Sequence, residues 1–148
     1  MKICLGLVFF LISFCSHGQT RVLSGKIIGS EFRDKNDTSE VEFWDLNEAR
    51  IWSNDSLLGY SDSHGEFRVE LLSGDNNIAI GWIGMYPEKF ELSDTCRYVE
   101  IILLPDARYD FVSYRKEQKL RAKDRAILPF LYEQAYAQNI FKRKEPCR

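Results

Sequence analysis

The chain has 148 residues, with 20 Lys plus Arg against 22 Asp plus Glu for a formal net charge of -2, and it is 45% hydrophobic and 28% charged. That length builds one sizeable core rather than two, and the composition excludes a disordered or low-complexity chain. The near-neutral balance argues against nucleic acid as the main ligand, because phosphate binding draws on an excess of cations.

Residues 1–18 read as a signal peptide. Lys2 supplies the positive start, Ile3 to Cys15 is an apolar run of 13 residues, and Ser16-His17-Gly18 places small residues at −3 and −1. Cleavage before Gln19 is expected, and the run is short for a membrane anchor. Phe14 in front of Cys15 disfavours a lipidated cysteine. No later apolar run reaches eighteen residues, so no membrane span is expected after cleavage.

From 19 to 106 the text is strand-like, with short β-branched and aromatic runs separated by turn residues at fairly regular spacing. This is the pattern of a mainly β sandwich of seven strands. The expected strands are Arg21–Gly29, Ala49–Trp52, Leu57–Tyr60, Glu66–Leu72, Asn77–Ile83, Lys89–Leu92 and Tyr98–Leu104. Asn77–Ile83 is apolar on both faces, as in a central strand covered on both sides, and this places Trp82 in the core. The polar stretch Glu31–Glu40 reads as a solvated loop.

Residues 107–148 switch to a helical period and form a basic C-terminal helical extension. Leu128, Leu131, Tyr132, Ala135 and Tyr136 make one apolar stripe, expected to dock on the sandwich. Pro129 should end one helix and open the next. Residues 19–106 hold 8 basic and 17 acidic residues, whereas 107–148 hold 11 basic and 5 acidic. The cations read as a solvated face beside an acidic sandwich in preference to a site for anionic partners.

Catalytic constellations are sparse, so a non-enzyme is expected. His64 is the only histidine after residue 18 and cannot assemble a His-rich zinc site. HExxH, GxSxG, P-loop, dinucleotide-glycine and CxxC patterns do not occur. No cofactor or metal is called for.

The most informative stretch is Tyr60-Ser61-Asp62-Ser63-His64-Gly65-Glu66-Phe67. Asp62 is suited to cap a turn and Gly65 to take positive φ, so the flanking strands are expected to pair as a hairpin. A calcium loop would need more regularly spaced oxygen ligands. Among Trp44, Trp52 and Trp82, Trp52 alternates with Ile51 and faces outward beside Arg50, which makes it the candidate for ligand stacking. Asn54-Asp55-Ser56 has the form of a glycosylation sequon. Cys96 and Cys147 remain after signal cleavage, an even pair in an oxidising compartment, and are expected to form a disulfide that ties the tail to the sandwich. Two free thiols, or an intermolecular bond at Cys147, are the alternatives.

Ser24-Gly25-Lys26-Ile27-Ile28, then Gly59 to Phe67 around Asp62 and Gly65, then Gly81-Trp82-Ile83-Gly84-Met85, resemble the carboxypeptidase-like regulatory domain. The resemblance covers roughly Arg21 to Leu104 and implies a transthyretin-like, Ig-like sandwich in which Asp62, Gly65, Phe67 and Gly84 are structural turn positions. Tyr109-Asp110-Phe111, Leu128-Pro129 and Pro146-Cys147 look like a small stand-alone secreted subfamily of it. Glu42-Phe43-Trp44-Asp45-Leu46 departs from the Pro-Leu-rich approach usual in the wider family. No peptidase zinc ligand carries over. The resemblance implies the periplasm or cell envelope of a Gram-negative bacterium. The expected function is a non-catalytic structural or protein-interaction module that docks another envelope protein, and the alternative is a carbohydrate-binding module using an exposed aromatic.

Overall fold

The computed structural model describes residues 20–34, 37–106 and 112–147, with side chains 32–40 left out. The expected signal segment and Tyr109-Asp110-Phe111 lie outside the described residues. The fold is mainly β with a C-terminal helical segment. In chain order the elements are β1 (Thr20–Asp34), β2 (Asp37–Asp45), β3 (Arg50–Ser53), β4 (Ser56–Tyr60), β5 (Glu66–Leu72), β6 (Asn77–Gly81), β7 (Glu88–Glu91), β8 (Tyr98–Leu103), α1 (Tyr114–Arg125) and α2 (Leu128–Ala137).

Among the described residues eight strands stand where seven were expected. The extra one is β2, which pairs antiparallel with β1 from Ile28↔Asp45 to Asp34↔Asp37. Most of the stretch read as a solvated loop is therefore strand. Its charges masked the signal, because a backbone ladder needs no apolar alternation along an exposed edge.

The first sheet is built around β1. On one edge β8 runs parallel to it, from Ser24↔Tyr98 to Gly29↔Leu103. The other edge is shared: β5 pairs antiparallel with residues 20–26 and β2 with 28–34. The change of partner falls at Ile27, whose N–H donates to Gly65 O at 2.8 Å while its carbonyl accepts from Leu46 N at 3.2 Å. The second sheet is antiparallel in the order β4-β3-β6-β7.

Strand alternation decides what lies between the sheets. In β5, Phe67, Val69 and Leu71 turn inward while Glu66, Arg68, Glu70 and Leu72 face solvent. They meet Leu23 and Ile27 of β1, Ile51 of β3, Ile80 of β6 and Ile101 of β8 in one cluster. Burying such side chains stabilises by roughly 1.5–3 kcal/mol each, before the entropy of ordering them is subtracted. Phe67 lies over Gly25, where an added Cβ would strike its ring and the Val99 carbonyl.

A second cluster forms on the other face of the first sheet. Ile28, Ile102 and Leu104 meet Leu131, Tyr132 and Ala135 of α2, joined by Phe141. Pro129 lies in the first turn of α2, where the missing N–H costs nothing, and α1 ends four residues earlier at Arg125. The Tyr132 hydroxyl accepts from Ile102 N at 3.3 Å and donates to Glu100 O at 3.1 Å. Those groups belong to β8, which among the described residues pairs only with β1, so the hydroxyl caps its other edge against further strand pairing. The buried Glu100 carboxylate accepts from Lys142 N at 2.7 Å and Arg143 N at 3.0 Å, which fixes the start of the tail. Beyond it the sulfurs of Cys96 and Cys147 meet, with Cα atoms 6.0 Å apart, within the span of a disulfide.

Candidate functional site

Helix α2 covers the first sheet, and the outer face of the second sheet is left to solvent. Alternation puts Arg50 and Trp52 of β3 on that face, with Tyr60 opposite Arg50 and Leu57 opposite Trp52. β6 presents Asn77, Ala79 and Gly81 there, so a trough runs beside the larger β3 side chains at Ala79 and Gly81. The Trp52 ring leans over Gly81, where a Cβ would come within 3.1 Å of it.

Trp52 thus stands between two open depressions. The first is lined by Asn47, Glu48, Arg50, Tyr60, Trp82 and Pro87 and encloses about 1020 Å³. The second is lined by Asn54, Asn77, Ala79, Lys89 and Glu91. Each combines an aromatic wall with amide and charged groups, the mixture that orients a polar ligand with an apolar face. Among the described residues no group of three or more metal-ligating side chains converges.

Three loops are hydrogen-bonded into the rim of the first depression. Ser61 is the hub: its hydroxyl donates to Leu46 O at 2.5 Å and accepts from Ala49 N at 2.8 Å. Its backbone exchanges bonds with the same loop, Ser61 N to Ala49 O and Glu48 N to Ser61 O. Glu48 has φ of 60°, a left-handed conformation that costs a side-chain-bearing residue of order 1–3 kcal/mol and is held here by those bonds. The third loop joins through Trp82, whose indole N–H donates to Asn47 O at 2.7 Å.

Asp62 and Gly65 make the second loop. Asp62 Oδ1 accepts from His64 N and Glu66 N, both at 2.9 Å, and Gly65 N donates to Asp62 O. The flanking strands do not pair as the expected hairpin. β4 pairs with β3 and β5 with β1, so the turn is a corner that carries the chain from one sheet to the other. Lys26 braces it, with Nζ 2.9 Å from His64 O and 2.8 Å from Asp45 Oδ1. Hydrogen bonds from Glu66 N and then His64 N hold the Asp62 carboxyl below its usual range. A depressed folded pKa contributes stability that is complete above about pH 4 and fades as pH falls through Asp62's own value. Asp62→Asn keeps an acceptor but not the charge, so its unfolding midpoint should vary less steeply with pH on the acid side. Equal acid slopes for variant and parent would contradict this.

The positions expected from sequence are only partly gathered. Asp62, Gly65 and, through Trp82, the Gly84 turn meet at one end of the sandwich, with Trp52 on the adjoining face. Gly84 takes φ of 79° where Met85 N bonds Trp82 O. Phe67 belongs to the core instead. Trp82 is a correction: β6 stops at Gly81, and Trp82 emerges 37% exposed, with Ile83 86% exposed beyond it. Asn54 and Asp55, at φ of 45° and 64°, form the two-residue connection between β3 and β4. Asn47 and Glu48 carry no sequence signal, and Tyr60 and Ser61 enter only as members of the Tyr60 to Phe67 stretch around Asp62. The chain matches no protein-family model and no curated protein.

Proposed function

We propose that this chain is a non-catalytic recognition module of the bacterial cell envelope, exported by residues 1–18 and belonging to the carboxypeptidase-like regulatory domain family. The two-sheet sandwich and the glycine turns at Gly65 and Gly84 support the family reading. His64, exposed at a corner and the one histidine outside residues 1–18, supports a role without catalysis.

The observation that carries the function is the open face of the second sheet. Tyr60 is 53% exposed, and Trp82 and Ile83 project beside it at the rim. Exposed aromatic and aliphatic groups next to an arginine, on a hydrogen-bonded scaffold, are the makings of a protein contact. A photo-crosslinker at Ile83 should capture one envelope protein, and Tyr60→Ala should abolish the capture. A crosslinker at Glu70 on the opposite sheet should capture nothing comparable. Equal capture from both positions would refute the assignment of this face.

Trp52 favours a second reading, in which a sugar ring stacks on it between the two depressions. On a glycan array Trp52→Ala should weaken any binding by about tenfold or more, the loss of one buried aromatic contact. Unchanged glycan binding, or none in the parent, would remove this reading and leave the first standing.

A further inference from the structure

Helix α1 carries two sets of cations that the fold treats differently. Arg121 and Arg125 face the sandwich. Arg121 pairs with Glu117 and lies 3.7 Å from Asp106, with its guanidinium 4.1 Å from the centre of the Tyr86 ring. Arg125 meets Glu88 at 2.8 Å. These contacts fasten a helix that has no buried residue of its own.

Arg115, Lys116, Lys119 and Lys123 form the other set. At about 100° per residue they fall within roughly one hundred degrees of arc, over about 12 Å of helix. All four are exposed, that arc holds no acidic residue, and none of the four makes an ion pair among the described residues. The sandwich beside it is acidic, with 17 acidic against 8 basic residues over 19–106, so the charge is polarised rather than scattered.

We propose that this face of α1 docks on the anionic phospholipid headgroups of a membrane surface, a contact separate from the open face of the second sheet. The composition of the arc chooses the occupant. Protein interfaces are built on buried aromatic, aliphatic and arginine anchors and are depleted in lysine. Here three of the four cations are lysines and no aromatic or large aliphatic side chain lies among them. Such a face suits a diffuse negative surface, where each cation strengthens partitioning by about fivefold. It cannot insert, because insertion requires an apolar face beside the charges. The acidic sandwich is repelled by the same surface, which orients the molecule with α1 toward the lipid.

The test is co-sedimentation of the full-length protein with vesicles of phosphatidylglycerol and phosphatidylethanolamine, against vesicles of phosphatidylcholine alone. Binding to the anionic vesicles should fall steeply as salt rises from about 0.05 M to about 0.5 M, as screening shortens the reach of each charge. Replacing Arg115, Lys116, Lys119 and Lys123 together by Gln should weaken it by about a hundredfold or more. The same change at Arg68 and Arg97, exposed cations of the sandwich outside both depressions, should leave it nearly intact. A thermal melt matching the parent's shows that the helix variant is folded. Equal binding by parent and helix variant overturns the proposal. So does equal binding to the two kinds of vesicle, which would assign it to the apolar segment Ile3 to Cys15. Salt-sensitive binding to polyglutamate or heparin with none to vesicles would give the face to a soluble polyanion and equally overturn it. Crosslinking at Ile83 is read separately, so the two surfaces stand or fall independently.

Discussion

Gly65→Ala is expected to destabilise the protein by about 3–5 kcal/mol, well beyond the cost of its turn conformation alone. Two costs combine. Gly65 has φ of 69°, and a side-chain-bearing residue in that region gives up about 1–2 kcal/mol. The added Cβ would also be driven into the Ile27 carbonyl and against Leu46 N. Those atoms form the hydrogen bond at which β1 changes partner from β5 to β2, so a local clash becomes a break in the first sheet. Gly84→Ala separates the two costs. Its φ is 79°, but nothing lies within 4 Å of the new Cβ, so only the backbone cost of about 1–2 kcal/mol applies. Urea unfolding of both variants measures the difference. Equal losses would mean that the contact with Ile27 carries no weight.

That comparison also shows how far the sequence could be read. A glycine after Asp62 signalled a turn with positive φ, because few other residues occupy that conformation at low cost. It did not say whether the turn joined two strands of one sheet or crossed between sheets. The same local geometry serves both, and the choice is made by strand partners outside the turn: β4 is already held by β3 across the two-residue connection at Asn54 and Asp55, and β5 is claimed by the distant β1. The strands with clean alternation, such as Glu66–Leu72, were legible because one face is buried and the other wet. β2 was hidden by its charges. Trp82 was misplaced because an apolar run continues past the point where the ladder ends.

The candidate site was legible in part for the same reason. Trp52 could be placed on an outward face from alternation with Ile51 alone. Ser61 and Asn47 act through partners in other loops, and neither has a composition signature. Glu100 is the plainest example. It lies within an apolar strand, and the two N–H groups that satisfy its buried carboxylate come from Lys142 and Arg143, more than forty residues later. The Cys96 and Cys147 pairing was legible only on the expectation of export, which leaves an even pair, and no local pattern pointed to it.

Cys147→Ser should lower stability by about 4 kcal/mol, the chain-entropy value for the loop this bond closes. The two cysteines are 51 residues apart, and the loop spans β8, both helices and most of the tail. The bond is not the tail's only attachment. Phe141 is buried in the second cluster, and the Glu100 carboxylate holds the next two backbone N–H groups. Residues 141–143 should therefore stay docked in Cys147→Ser, and the loss should come mainly from the freer unfolded chain. Reductant should lower the parent's unfolding midpoint by a similar amount and leave the variant unchanged. Cys96→Ser should cost somewhat more, because Cys96 is 2% exposed and its sulfur packs in the main core, where a hydroxyl needs a partner. Hydrogen exchange at Lys142 and Arg143 separates entropy from docking. Protection should persist in Cys147→Ser and be lost in Glu100→Ala. Free thiols found at Cys96 and Cys147 by peptide mapping, or a covalent dimer on a non-reducing gel, would show that this pair does not close the loop.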